Sequence, residues 1–332
     1  MKLRRILSVM VLFTLICTSC TNDLKVLAPY KNITVVYGLI DQNDPVHYVR
    51  INKGFEGSGN AYTMAQQYDS IYYPVGSISV VLEDSSTTSY SIVNTYKLDT
   101  ITTIPLSPGT FSYPKQLLYY TKASLNPADY YNLVITNLKT GQKIIGSTFL
   151  LADIVFTSEL YGSRIFSVSF NQFAPATIAW NSSANARIYQ ITIQFYYDEV
   201  TQAGRTMKSI NWVLPSVTSN ILNAEAAMET QFTGQQFCSF IGSSIPYEAG
   251  VTRYVDSIGI VFTSGTDDLN TYVQLSQPPL GINQDVPSFS DVKNGVGLFT
   301  ARHIQTFYKL LNSQFIDSLV SEPQFQDLHF QQ

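Results

Sequence analysis

Period-two alternation of apolar and polar positions dominates the chain. Ile33-Thr34-Val35-Val36-Tyr37-Gly38-Leu39-Ile40 is β-branched and aromatic, and Asp41-Gln42-Asn43-Asp44-Pro45 then supplies turn residues. Val46-His47-Tyr48-Val49-Arg50-Ile51 alternates again, so the two runs read as a hairpin. Similar runs follow at Ser77 to Leu82, Ser89 to Thr95, Leu117 to Thr121, Tyr130 to Thr136 and Lys143 to Phe149. Seven short strands in roughly 120 residues predict a β-sandwich over residues 32–150.

Alternation resumes near Leu151 and predicts a second sandwich over residues 151–312. Its strands are Phe166 to Phe170, Ala176 to Trp180, Ile188 to Tyr197, a segment holding Trp212 and Val213, and Tyr254 to Phe262. Between Asn220 and Gly242 the period changes. Leu222, Ala226, Met228, Phe232, Phe237 and Phe240 recur at near-helical spacing, with Gly234 as a break, so a helical insertion is expected near residues 220–242. Asp267 to Gln274 reads as a short helix, and Ser313 to Val320 as another that ends before Pro323. Residues 313–332 then form a C-terminal extension. The fold class is mainly β: two sandwich domains of immunoglobulin or fibronectin type III kind, the second carrying helical insertions.

Two local patterns carry that resemblance. Leu125-Asn126-Pro127-Ala128-Asp129-Tyr130-Tyr131 resembles the corner of fibronectin-like domains, in which a strand tyrosine bonds back to the preceding loop, and Tyr131 is the corner candidate. The spacing of Trp180 and Tyr189 resembles the second and third strands of such a sandwich, where a tryptophan packs the core.

The start of the chain has a different pattern. Lys2, Arg4 and Arg5 precede an apolar run from Ile6 to Ile16, which is about half the roughly 20 residues that a membrane-spanning helix needs. Residues 1–19 therefore read as a secretory signal. Ile16-Cys17-Thr18-Ser19-Cys20 resembles the bacterial lipobox, with Cys17 where Leu is usual. The resemblance implies cleavage before Cys20, lipidation of Cys20, and a tether over residues 20–31. Thr21 in place of Asp implies sorting to the outer membrane. Multiple acyl chains on one residue would make the membrane lipid anchor effectively permanent.

Composition narrows the function. Only 13% of residues are charged and the formal net charge is −4, becoming more acidic without the basic leader, so a nucleic-acid partner is excluded. With Cys20 lipidated, Cys238 is the remaining free cysteine, and its place between Phe237 and Phe240 suits a core position. His47, His303 and His329 lie on separate segments with no metal-ligand spacing, and no nucleophile elbow, P-loop or calcium loop occurs. Gly54-Phe55-Glu56-Gly57-Ser58-Gly59 reads as a flexible loop rather than a phosphate cradle. Asp41, Asn43 and Asp44, or Asp267, Asp268 and Asn270, suit turns and helix caps better than a calcium ion. No cofactor, metal or catalytic residue is expected, and the protein reads as a non-enzyme.

Two features suggest contacts. The connection from Lys53 to Pro74 is long enough to be functional and carries Phe55, Tyr62, Tyr68, Tyr72 and Tyr73, rings suited either to a ligand or partner contact or to capping the first sandwich. Asp-Ser/Thr-apolar triplets at Asp69-Ser70-Ile71, Asp99-Thr100-Ile101, Asp256-Ser257-Ile258 and Asp317-Ser318-Leu319 resemble the O-glycosylation sequon of exported Bacteroidetes proteins, which makes Ser70, Thr100, Ser257 and Ser318 the candidate acceptors.

Leu269-Asn270-Thr271-Tyr272, a Pro-rich loop, and Val292-Lys293-Asn294-Gly295-Val296-Gly297-Leu298-Phe299 together resemble the ending of an uncharacterised family of Bacteroidetes outer-membrane lipoproteins, whose N-terminal strand is similar to Val35 to Ile40. Asn294-Gly295-x-Gly297 reads as a turn that closes the second sandwich. The resemblance implies a lipoprotein without assigned activity and association with a TonB-dependent transporter barrel. The expected function is an accessory or binding component of the cell envelope. The alternatives are a structural or adhesive protein assembling by strand exchange, and a glycan-acting hydrolase, which would need a pair of carboxylates in a cleft.

Overall fold

The computed structural model describes residues 33–54, 60–157, 163–170, 175–222, 225–277 and 289–332. The signal segment, the tether, Cys20 and Phe55 lie outside them. Among the described residues no helix is long and apolar enough to cross a membrane.

The protein is mainly β, and the described strands form three sheets in an open, sandwich-like arrangement. In the N-terminal half, β1 (Thr34–Ile40), β2 (His47–Lys53), β5 (Asp99–Ile101) and β6 (Leu118–Thr121) run in the order β1-β2-β6-β5. Facing them are β3 (Ile78–Ser86), β4 (Ile92–Lys97), β7 (Asp129–Asn137) and β8 (Lys143–Phe149), ordered β4-β3-β7-β8. Alternation dictates the faces, since side chains point to opposite sides at each step. Val36, Ile40, Val49 and Ile51 turn inward from one sheet and meet Val80, Leu82, Leu133, Ile135 and Ile144 from the other in one buried core. The tyrosine corner forms: the Tyr131 hydroxyl accepts from Asn126 N at 2.7 Å, and the ring is fully buried.

In the C-terminal half, β9 (Val155–Phe156), β11 (Ala176–Asn181) and β15 (Ala227–Phe232) form a three-stranded sheet. Opposite it lie β12 (Ile188–Thr201), β13 (Gly204–Val213), β16 (Thr252–Gly265) and β17 (Val296–Leu311), with β10 (Ile165–Phe166), β14 (Val217–Thr218) and β18 (Phe330–Gln331) as short additions. Trp180 is buried between Tyr189 and Phe262, as its spacing predicts. The expected strand at 166–170 is reduced to Ile165–Phe166.

The expected boundary at 150/151 is not a break in the main sheet. β17 is 16 residues long and serves both halves. Val296 to Ala301 pair in parallel with Val35 to Ile40 of β1, whereas Arg302 to Lys309 pair antiparallel with β16. The glycine motif, whose last two residues open β17, therefore sits where that strand joins β1. Gly297 takes φ +119°, and a Cβ there would lie 2.0 Å from Val36 O. The other positive φ in the motif belongs to Asn294 rather than Gly295.

Two further expectations change. The helix expected near residues 220–242 is a strand followed by a helix: Met228 and Phe232 turn inward from β15, and α3 (Gly234–Ser244) begins only after Thr233. A capping box between Thr233 and Gln236 starts that helix, and Gly234 is needed because a Cβ would meet Ser169 O at 2.4 Å. Cys238 sits on its buried face, where burial and the charge of Glu322 push the thiol up to about 12. Residues 313–332 are not an appendage. Helix α5 (Ser313–Ser321), a 3₁₀ turn (Pro323–Leu328) and β18 bury Phe315, Leu319, Phe325, Leu328 and Phe330, and β18 pairs in parallel with β16. The remaining described helices are α1 (Ala61–Ala65), α2 (Tyr68–Ile71) and α4 (Asp267–Leu275).

Candidate functional site

Where β17 passes from pairing with β1 to pairing with β16, the outer face of the sheet carries a groove of about 450 Å³. Cross-strand register builds its floor. Leu298 pairs with Tyr37, Tyr37 with Arg50, and Arg50 with Leu118, so these four side chains form one row across β17, β1, β2 and β6. Tyr48, opposite Tyr120, lies in the next row. Helix α4 overhangs one wall with Leu269, Tyr272 and Val273, and its start is set by Thr266, whose hydroxyl accepts from Leu269 N.

The groove combines rings with guanidinium groups. Tyr37 is 43% exposed and meets Tyr272 edge to face at 6.4 Å. Burial, together with the charge and hydrogen bond of Tyr272, raises the Tyr37 pKa against the opposing pull of Arg50. Arg50 Nη2 donates to Gln116 Oε1 at 2.7 Å, and Arg302 Nη2 reaches Asp44 Oδ2 at 3.4 Å. Arg302 Nε is buried without a partner among the described residues. Among the described residues lining the groove, Asp44 is the one carboxylate, so the carboxylate pair of a glycan hydrolase is not assembled there. Tyrosine and arginine over an apolar floor are instead the side chains that dominate protein interfaces.

The contact residues expected from the sequence lie elsewhere. In the connection from Lys53 to Pro74, Tyr72 and Tyr73 are buried, with Tyr73 Oη 2.8 Å from Thr34 Oγ1. Tyr68 packs on Tyr72 at 4.5 Å with Lys115 over its ring, and Tyr62 stands clear at 61% exposure. Of these four described rings, three pack in or against the core and Tyr62 alone is free to meet another molecule. The groove's own residues are visible in the sequence as aromatic and basic side chains at the outward positions of alternating strands, Tyr37, Tyr48 and Arg50, but alternation alone does not bring α4 above them. Of the sequon hydroxyls, Thr100 is exposed on the short strand β5, while Ser70, Ser257 and Ser318 are half-buried. The last two donate to Asp256 Oδ2 and Gln314 O.

Beside the groove lies a polar cluster that no local motif announces, with His303 and Asp41 buried and Asp153 exposed at its edge. His303, fully enclosed, places Nδ1 2.9 Å from Asp41 Oδ1 and Nε2 2.8 Å from Asp153 Oδ1. Asp41 Oδ2 accepts from Ile304 N, and Asn43 N donates to Asp41 Oδ1. The β1–β2 turn, β17 and the segment joining the two halves are thereby tied at one imidazole. Burial acts to lower the His303 pKa, but the hydrogen bonds and charges of Asp41 and Asp153 outweigh it and the value is raised. Burial acts to raise Asp41, and its hydrogen bonds from His303 and the two backbone N–H groups leave it lowered.

The pH dependence follows from those directions. Stability from His303 is fully present below its unfolded value of about 6.5 and is lost as pH rises through the higher folded value; stability from Asp41 is present above about 3.9 and is lost as pH falls through the lower folded value. Both are in place between roughly pH 4 and 6.5. The melting temperature of the wild type should therefore fall between pH 6 and pH 8.5 more steeply than that of His303→Gln. Parallel pH profiles of the two proteins would show that the cluster is not charged in the folded state.

No family model and no curated protein matches the chain. Among solved structures it is similar to the C-terminal globular domain of an oligosaccharyltransferase from Pyrococcus abyssi, at 9% identity and a TM-score of 0.26. The likeness covers 68% of this chain and 45% of that one. At that TM-score it carries no inference about activity.

Proposed function

We propose that the protein is a non-enzymatic, lipid-anchored component of the cell envelope that meets a membrane partner through the tyrosine and arginine groove on β1, β2, β6, β17 and α4. The row Leu298-Tyr37-Arg50-Leu118 carries this reading, because it combines an exposed ring, a guanidinium and an apolar floor on a rigid sheet. Outward-facing strand positions are otherwise expected to be polar. The leader and the lipobox-like residues before Cys20 support an outer-membrane anchor, which would hold the groove near the bilayer at high local concentration. The family resemblance supports a TonB-dependent transporter barrel as the partner. Tyr131 and Trp180 support a frame of two fibronectin-like modules, here sharing β17.

Strand exchange through the C-terminus is less favoured by the same observations, because residues 313–332 are held by five buried apolar side chains. The test is purification of the natively lipidated protein from its own outer membrane in mild detergent. Wild type is expected to retain a barrel protein in stoichiometric amount, and a Tyr48→Ala/Arg50→Ala variant to retain less than about a tenth as much, the effect of losing roughly 1.4 kcal/mol or more of binding. A solitary wild-type protein, or equal retention by the variant, would overturn the reading.

A further inference from the structure

A second groove, of about 510 Å³, lies on the opposite outer surface of the first sandwich, across β3, β7 and β8. Register again supplies the floor: Ser85 pairs with Tyr130 and Tyr130 with Phe149, and Asn132 pairs with Ser147 in the next row. Inward neighbours Tyr131 and Leu133 are fully buried, so the row facing out stands on a rigid core. The Tyr130 and Phe149 rings lie 4.5 Å apart, and Phe149 remains 46% exposed.

The turn between β3 and β4 forms the wall. Ser86 Oγ accepts from Thr88 N and Ser89 N at 3.2 Å each, Tyr90 N donates to Ser86 O at 2.9 Å, and Thr87 Oγ1 donates to Ala128 O. This network holds Tyr90 at φ +55° with its ring 88% exposed. A side-chain-bearing residue in the left-handed region costs about 1–2 kcal/mol. Tyr90 recovers almost none of that by burial, and it stands open to solvent at the groove wall.

The remaining lining is made of hydroxyls and an amide. Asn132 Oδ1 accepts from Ser147 Oγ at 2.7 Å, which fixes the amide and leaves its nitrogen to donate. Ser85, Ser86 and Thr87 complete the lining, and none of the described residues lining the groove is charged. A phosphate or carboxylate ligand would find no cation among the lining residues, and Glu83, the cross-strand partner of Asn132, would repel it. A pyranose ring matches on both counts: its C–H face packs on aromatic rings, whose faces are electron-rich, and its hydroxyls exchange hydrogen bonds with amide and hydroxyl groups at the edge.

We infer that the groove formed by Tyr90, Tyr130, Phe149 and Asn132 binds a neutral carbohydrate. The site is separate from the tyrosine and arginine groove and stands independently of the partner proposed for it. Single sugar rings on an open surface bind weakly, so a dissociation constant on the order of 1 mM is expected.

Isothermal titration and saturation-transfer NMR on the full mature chain would test this with four neutral probes, maltohexaose, cellohexaose, xylohexaose and mannohexaose, and with hexagalacturonate as the charged comparison. At least one neutral hexasaccharide should bind, with saturation transfer strongest at ring C–H protons, and hexagalacturonate should not. Tyr90→Ala and Phe149→Ala should each weaken binding at least tenfold while leaving the melting temperature of Tyr90→Ala unchanged. Absence of binding by all four neutral probes at 10-fold the expected constant, tighter binding of hexagalacturonate, or unchanged affinity in Tyr90→Ala would overturn the inference.

Discussion

Replacing Arg253 by Met should lower unfolding stability by about 3–5 kcal/mol, because it removes one partner of a buried ion pair and leaves the other behind. Arg253 has no solvent exposure, and Glu199, its partner, is nearly as enclosed. Arg253 Nε donates to Glu199 Oε1 at 3.0 Å, Nη1 to Leu328 O at 2.8 Å and Nη2 to Pro246 O at 3.1 Å. Its backbone N–H also bonds His329 O, so one residue ties the C-terminal segment to β16. Methionine matches the volume but satisfies none of these acceptors. Lys208, 3.1 Å from Glu199, retains part of the charge balance and places the expected loss toward the lower end.

Urea unfolding would measure the loss, and limited proteolysis would show whether it is felt at residues 313–332 first. The double variant Glu199→Gln/Arg253→Met should recover part of the stability, since the stranded carboxylate is then gone. A loss below about 1 kcal/mol in the single variant would mean that water or a rearranged Lys208 replaces the guanidinium.

Gly297→Ala should cost about 3 kcal/mol or more and should act at the join between the two halves. Two terms add: a φ of +119° that side-chain-bearing residues rarely adopt, and a Cβ that would lie 2.0 Å from Val36 O, 2.9 Å from Val36 C and 3.0 Å from Val36 N. Every atom it meets is backbone of β1, so relief requires β1 and β17 to part along the parallel ladder. Gly141 separates the two terms, since it has φ +72° and a Cβ added there would have nothing within 4 Å. Gly141→Ala should cost only about 1 kcal/mol. Hydrogen exchange read at Val35 to Ile40 should accelerate in Gly297→Ala and not in Gly141→Ala. Equal costs for the two variants would show that the clash is absorbed by a small strand shift.

These two positions also mark the limit of what local patterns reveal. Asn294-Gly295-x-Gly297 is recognisable as a turn into a strand at Leu298 and Phe299, and the strand begins two residues earlier, at Val296, with Gly297 already inside it. Its partner does not follow from the motif, because β1 lies some 260 positions earlier and alternation carries no information about which strand pairs with which. The same distance hides the His303 cluster, whose two partners come from segments 262 and 150 positions away.

The helix expected across residues 220–242 differs from the structure for another reason. Met228 and Phe232 point inward from β15, and Phe237, Cys238 and Ile241 point inward from α3, and the two sets laid end to end imitate one continuous helical stripe. Thr233 and Gln236, three apart and followed by an apolar run, are the legible sign that the helix starts only there. The aromatic connection after β2 shows the converse, since ring content alone cannot separate a cap from a contact. Tyr72 and Tyr73 enter the core, where they join the cluster that holds Val36 and Ile51.

By itself the sequence determined the mainly β class, most strand positions, the Tyr131 corner, the buried Trp180 and the helices at α4 and α5, because each depends on periodicity or hydrogen bonds within about ten residues. Only the tertiary structure decided that β17 serves both halves of the chain, that residues 313–332 belong to the core, and that rows of outward side chains line two grooves. Those outcomes depend on pairing between residues far apart in the chain, where the free energy lies in register and packing and leaves no short-range trace.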